Sequence, residues 1–286
     1  MTLAYRVGII QMPSESEASW RRTLTQAAGQ GGWKTFGSDD PALSGLTESE
    51  SALIFIKSSA PLACGELSDC IVFDFPMAES VAVANARRPD LPFHGVQIVS
   101  ARLLASTVLG KAATHVEAAG TRVEIPGLGT VERRGSYESL KAAPQVPALA
   151  IYDNGPPRIG ASAVWTPEVM SLAPHAVLPD GSVRFDLTGK TRALVHGPYI
   201  ELPSGRWRIT VRFEAQPDDI CFLLFDWGVG EDVVRCSTTI ARQGRYEIAL
   251  ENERAVPGPW EIRIWAERGH FSGAINFIES KVELVG

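Results

Sequence analysis

From residue 182 to the C-terminus the chain repeats one pattern, in which apolar or aromatic residues alternate with polar ones in short runs broken by Gly, Pro and Asp. The runs are "SVRFDL", "RALVHGPYIEL", "RWRITVRFEA", "ICFLLFDW", "DVVRCSTTI", "RYEIALE", "WEIRIWAE" and "AINFIESKVEL". A period of two sends successive side chains to opposite faces of a sheet, so each run carries one core face and one outer face. Short strands at this spacing, joined by turn residues, predict an antiparallel β-sandwich or jelly roll.

The first 110 or so residues follow a different pattern. "YRVGIIQM" reads as a strand, and "SESEASWRRTLTQAAGQGG" as a helix with Ser14 and Ser16 near its start and glycines at its end. "SALIFIK" and "CIVFDF" are continuous apolar runs, as expected of strands covered on both faces. "MAESVAVANARRP" reads as a helix closed before Pro89, and "FHGVQIVSARLLASTVLGKAAT" as a strand, a helix or both in turn. This alternation predicts a layered, Rossmann-like α/β domain with a partly parallel sheet. "TRVEIPGLGTVERR" predicts a hairpin around Pro126 and Gly127, and "APQVPALAIYDNGPPRIG" has the Pro and Gly density of a linker. The expected organisation is an α/β domain with a hairpin extension over 1–150, a linker with the first sandwich elements over 151–180, and the sandwich over 181–286.

A chain of 286 residues, 45% hydrophobic, exceeds the usual size of one core, which agrees with two domains. The net charge of -6, with Lys and Arg dispersed, argues against a nucleic-acid partner. Cys64, Cys70, Cys221 and Cys236 form no C-x-x-C pair; a Cys64–Cys70 cross-link and buried free thiols are both open, and the apolar surroundings favour thiols in a reducing compartment. "MTLAYRVGIIQMP" lacks the core and cleavage site of a signal peptide, so a cytoplasmic location is expected, or a surface or particle location reached by another export route. No run approaches the roughly 18–20 apolar residues that would cross a bilayer.

Catalytic motifs are sparse. His94, His115, His175, His196 and His270 show no metal-binding spacing, and neither G-x-S-x-G, G-x-G-x-x-G nor a P-loop occurs, so no cofactor is expected. Ser14 and Ser16 at a helix start suit an anion, although Glu15 and Glu17 would repel phosphate. Asp74 closes one strand and Glu79 opens the next helix; the two read as an acid/base or metal pair, or as ordinary strand-end and helix-start choices. Glu231 and Asp232 in the turn after Trp227 offer too few ligands for a convincing calcium site.

In "ELPSGRWRITVRF" and "GRYEIAL", Gly and Arg lead into an aromatic that starts an alternating strand. This pattern resembles the signature strands of jelly-roll carbohydrate-binding modules in bacterial proteins that act on or attach to polysaccharide, over about residues 180–286. The resemblance implies the fold, and it implies that any sugar is held by exposed aromatics and polar groups on one face or on the loops. Phase locates candidates. Trp207, Ile209, Val211 and Phe213 fall on a core face, which leaves Arg206, Arg208 and Arg212 on the solvent side. In "WEIRIWAE" the core set is Trp260, Ile262, Ile264 and Ala266, so Trp265 lies out of phase with Arg263 and Glu267 beside it. An indole so placed stacks on a pyranose ring while its charged neighbours bind hydroxyls; the other reading packs Trp265 beneath a loop or another domain. Asp226, the polar residue of a central apolar strand, joins this set, with Arg206 and Arg208 as neighbours if their strand lies alongside.

The expected function is non-catalytic binding of bacterial surface polysaccharide or an oligosaccharide through the sandwich. One alternative is a sugar-nucleotide-dependent glycosyltransferase-like enzyme working around Ser14, Asp74 and Glu79. The other is a self-associating module of a spike-like or surface assembly, as a homo-oligomer or part of a larger particle.

Overall fold

The computed structural model describes residues 4–60, 66–109, 113–134 and 145–286, so Cys64 lies outside the described residues. The chain divides into one unit of residues 1–87 with 98–145 and a second of residues 88–97 with 146–286.

In the first unit, five strands form a parallel sheet: β1 (Arg6–Gln11), β2 (Lys34–Gly37), β3 (Ala52–Ile56), β4 (Asp69–Asp74) and β5 (Thr114–Glu117), in the order β2-β3-β1-β4-β5. The continuous apolar runs are explained by burial on both faces. Val7 and Ile9 of β1 pack with Trp20, Leu24 and Ala28 of α1 (Glu17–Gln30), while Ile10 joins Ile54, Val72 and Ala105 on the other side. Gly8 has no room for a side chain, because a Cβ there would lie 2.6 and 2.7 Å from methyl groups of Leu67 and Ile56. Two further helices follow, α2 (Met77–Arg87) and α3 (His94–Leu109), so the ambiguous segment after Phe93 is helical. The hairpin around Pro126 and Gly127 forms as β6 (Arg122–Ile125) and β7 (Gly129–Glu132), with Gly127 at φ 75°. The first sheet is therefore parallel, but strand dominates the chain as a whole.

The second unit contains two antiparallel sheets. One has the order β10-β11-β18-β13-β16, built from β10 (Ala176–Val177), β11 (Val183–Asp186), β18 (Ala274–Leu284), β13 (Gly205–Gln216) and β16 (Gly244–Arg254), with β8 (Ser162–Trp165) also on β18. The other has the order β15-β14-β17-β12-β9, from β15 (Asp232–Ile240), β14 (Cys221–Val229), β17 (Gly258–Ala266), β12 (Arg192–Leu202) and β9 (Ser171–Leu172). Their inner faces meet: Phe213 of β13 lies 5.7 Å from Phe225 of β14, and Trp227 lies 5.7 Å from Trp165 and 4.7 Å from Trp260. The core set Trp207, Ile209, Val211 and Phe213 is buried, as are Trp260, Ile262, Ile264 and Ala266. Each such large side chain contributes about 1.5–3 kcal/mol by leaving water, which is the main force closing the sandwich.

Cys70 and Cys221 are buried free thiols and Cys236 is a half-buried one, and burial pushes Cys70 up to about 11. Among the described residues no helix is long and apolar enough to cross a membrane.

Candidate functional site

The outer face of the β15-β14-β17-β12-β9 sheet gathers the polar residues that strand phase keeps out of the core. Register aligns Arg235 with Asp226, Asp226 with Arg263, and Arg263 with His196, so one row of polar side chains crosses four strands. Neighbouring strands lie about 4.8 Å apart, which makes this row ~14 Å long. The next row aligns Ser237, Leu224, Trp265 and Ala193. Leu224, Trp265 and Ala193 are all half-buried, and they form an apolar strip beside the charged row. A third row begins with Thr239 and Phe222, and Phe222 carries Arg268 over its ring at 4.2 Å.

Ion pairing fixes the charged row. Asp226 is 2% exposed and accepts from Arg235 Nε at 2.6 Å and Nη2 at 3.1 Å. Arg263 donates to the Gly230 carbonyl at 2.9 Å and to Glu261 Oε1. Glu261 is 3% exposed, and among the described residues its other oxygen, Oε2, has no partner at hydrogen-bonding geometry. The Trp265 indole Nε1 likewise has none. Buried polar atoms without a hydrogen-bond partner are costly, and the Glu261 carboxylate lies close enough to the Tyr199 hydroxyl to act on it.

Beyond His196 the row continues in register to Ser171 of β9, and Tyr199 stands beside His196 on β12. The Tyr199 hydroxyl and His196 Nδ1 lie 2.9 Å apart, and the Tyr199 ring packs edge-on against Phe93 at 5.1 Å. Tyr199 has φ 60°, which is uncommon for a bulky residue and is held only where the surroundings enforce it. Burial, reinforced by the Glu261 carboxylate, pushes the Tyr199 hydroxyl up to about 12. Burial holds His196 below its ordinary value, against the opposite pull of Glu261.

The sequence candidates therefore separate. Trp265, Arg263 and Asp226 share this face, with Asp226 too deep to reach a ligand and acting instead to orient Arg235. Glu267 follows β17 and accepts from Ser237 Oγ at 3.3 Å. Arg206 and Arg208 are in the other sheet, since β13 pairs with β16 and β18 and never with β17. Arg208 is bound to Glu251 at 2.6 Å, and Arg212 to Glu247 and Glu279 at 2.7 and 2.8 Å, so that outer face is a lattice of ion pairs. Tyr199 and Arg235 were not singled out from sequence, and His196 only as one of five scattered histidines; strand phase already put Glu261 on the face of Trp265, whereas nothing in the sequence placed Arg235 there.

The first-unit candidates prove to have internal partners. Ser14 and Ser16 are buried, their hydroxyl oxygens are 3.1 Å apart, and Ser16 donates to the Ala118 carbonyl at 3.1 Å. Glu17 of the same helix start already carries the negative charge there, bound to Arg87 at 2.6 Å. Asp74 pairs with His115 at 2.6 Å, both half-exposed, while Glu79 Oε1 is buried without a hydrogen-bond partner among the described residues. Asp232 of the acidic turn is bound by Arg254, and no group of three or more His, Cys, Asp or Glu able to hold a metal ion occurs among the described residues.

No protein-family model matches the chain, and no curated protein matches it. Solved structures that match are mainly carbohydrate-binding modules. A CBM22-1 xylan-binding domain from Paenibacillus barcinonensis is 13% identical, with a TM-score of 0.32, over 45% of this chain and 97% of that one. A CBM35 from Cellvibrio japonicus is 9% identical, with a TM-score of 0.30, over 44% of this chain and 94% of that one. A glycosylation-associate protein complex from Streptococcus agalactiae aligns with 88% of this chain and 49% of its own at 8% identity, TM-score 0.30. Of a family two carbohydrate esterase from Cellvibrio japonicus, the match spans only 33% of the length. The C-terminal part of the chain is thus similar to carbohydrate-binding modules.

Proposed function

We propose that the outer face of the β15-β14-β17-β12-β9 sheet binds a hydroxyl-rich glycan without catalysis, and that the natural ligand is a bacterial surface polysaccharide. The observation that carries this reading is the half-buried strip of Leu224, Trp265 and Ala193 lying directly beside the row of Arg235, Asp226, Arg263 and His196. A pyranose has an apolar C–H face and a rim of hydroxyls. An aromatic strip takes the first, and fixed charged groups bind the second. The sheet of the first unit is parallel, and the Ser14 and Ser16 hydroxyls beside it are engaged internally, which favours binding over sugar-nucleotide chemistry there.

A glycan array probed with the full chain tests the reading. A specific signal that Trp265→Ala abolishes, with the melting temperature nearly unchanged, is the expected result. Silence across the array overturns it, and so does a Trp265→Ala chain that binds as well as the parent.

A further inference from the structure

Register sets His196 opposite Arg263 and Pro198 opposite Glu261, and the shift between Pro198 and Ile200 makes Tyr199 the extra residue of β12. Its hydroxyl lies 2.9 Å from His196 Nδ1, and the Glu261 carboxylate lies close enough to act on it. One hydroxyl thus stands between an imidazole nitrogen and a carboxylate, which sets the direction of the hydrogen bonding. The Glu261 carboxylate, paired with Arg263, only accepts, so its field draws the Tyr199 proton towards Glu261 and leaves the phenol lone pairs to His196. Nδ1 then carries the imidazole proton and donates it to the Tyr199 oxygen, because two lone pairs at that distance would repel. Burial holds His196 below its ordinary value, so the ring is neutral at neutral pH, and a neutral imidazole has a single N–H. Nε2 is therefore a bare acceptor. The ring's one hydrogen bond among the described residues is the one at Nδ1, and the side chain is only half-buried.

We infer that His196 is a specificity-determining residue of the glycan face, accepting a hydrogen bond at Nε2 from a free sugar hydroxyl; the inference rests on the glycan-binding reading above. Arg263, opposite it in the row, only donates. A hydroxyl both gives and takes, so it serves the two groups together, whereas a methylated or missing hydroxyl has no proton for Nε2. Acidification reverses the preference, since a second proton on the ring turns Nε2 into a donor. Retention is complete above 6.5 and is lost as pH falls through the lower folded-state value. The charged groups acting on the ring are Glu261 and Arg263 of β17; Tyr199 lies on its own strand, and Ser171, its partner on β9, does not titrate.

The test uses the full chain with isotope-labelled histidine and the neutral probes cellotriose, xylotriose and β-1,4-galactotriose, which do not titrate themselves. Two-bond nitrogen–proton correlation spectra at pH 7.5, with the His196 signals assigned by their absence in His196→Gln, are expected to show the proton on Nδ1. A proton on Nε2 overturns the inference. For any probe that binds, affinity is expected to fall about tenfold between pH 7.5 and pH 4.5, the size of one lost hydrogen bond, with the fold intact by near-ultraviolet circular dichroism. His196→Gln, whose amide oxygen accepts at either pH, is expected to bind equally at both. A parent protein that binds equally at both overturns the role of His196 while leaving glycan binding intact, whereas no response to any probe defeats the underlying reading and the inference with it. Should the parent unfold at pH 4.5, His196→Phe decides at pH 7.5: with a ring but no acceptor it is expected to bind about tenfold less tightly, and equal binding overturns the role.

Discussion

Asp226, buried at the centre of an outer sheet face, is bound through both oxygens by Arg235, a residue whose own side chain is mostly in solvent. Among the described residues the carboxylate has no other hydrogen-bonding side chain, so Arg235 offsets the cost of keeping that charge out of water. Arg235→Ala is expected to destabilise the chain by about 1–3 kcal/mol, far more than loss of an ordinary surface arginine, because it orphans a buried acceptor. Urea denaturation of the variant measures this, and a change below about 0.5 kcal/mol contradicts the pairing.

The two sheet faces make opposite predictions for their arginines. Arg212, bound to Glu247 and Glu279 on the other sheet, is half-exposed on a fully solvated lattice. Its replacement by Ala is expected to cost no more than about 1 kcal/mol, to be masked further by salt, and to leave glycan retention untouched. Arg263→Ala is expected to abolish retention. Affinity electrophoresis of both variants separates the two faces.

Trp265 and Trp260 lie five residues apart on one strand and face opposite ways. Trp260→Ala leaves a cavity against Trp227 and is expected to cost about 3–5 kcal/mol. Trp265→Ala removes a half-buried side chain from the outer face and is expected to cost about 1 kcal/mol or less. Thermal melts of the pair decide it; equal losses would put Trp265 in a core.

Acidification is expected to weaken the fold through His196. Burial lowers its folded-state pKa below the ordinary value of 6.5, so the unfolded chain takes up the proton more readily. The stability gained from the neutral ring is complete above 6.5 and is lost as pH falls through the lower folded-state value. Urea midpoints at pH 7.5 and pH 5 measure the loss, and His196→Gln is expected to remove that part of it.

Thiol reactivity follows burial. Burial raises both Cys70 and Cys221, while Cys236 on the edge strand β15 is half-buried and makes a weak contact to the Ser237 carbonyl at 3.9 Å. Peptide mapping after brief iodoacetamide treatment at pH 8 is expected to find Cys236 alkylated before Cys70 and Cys221.

The parity of β13 and β17 was legible in the sequence, because the backbone itself alternates side chains with period two; in β12 register shifts between Ala193 and Val195 and between Pro198 and Ile200 interrupt it. That parity alone put Trp207, Phe213 and Trp260 in the core and Trp265 outside it. The parallel sheet, too, announced itself through apolar runs such as "SALIFIK", which only burial on both faces accommodates. Which strands lie side by side was not legible, since register is set by hydrogen bonds between segments far apart in the chain. Tertiary structure sent Arg206 and Arg208 to one sheet and Trp265 to the other, and brought Arg235, Asp226, Arg263 and His196 into one row. It also turned Ser16 inward to the Ala118 carbonyl, 102 residues away, and folded Phe93 back against Tyr199. Local pattern determined which face of a strand each side chain occupies; only long-range packing decided what it meets there.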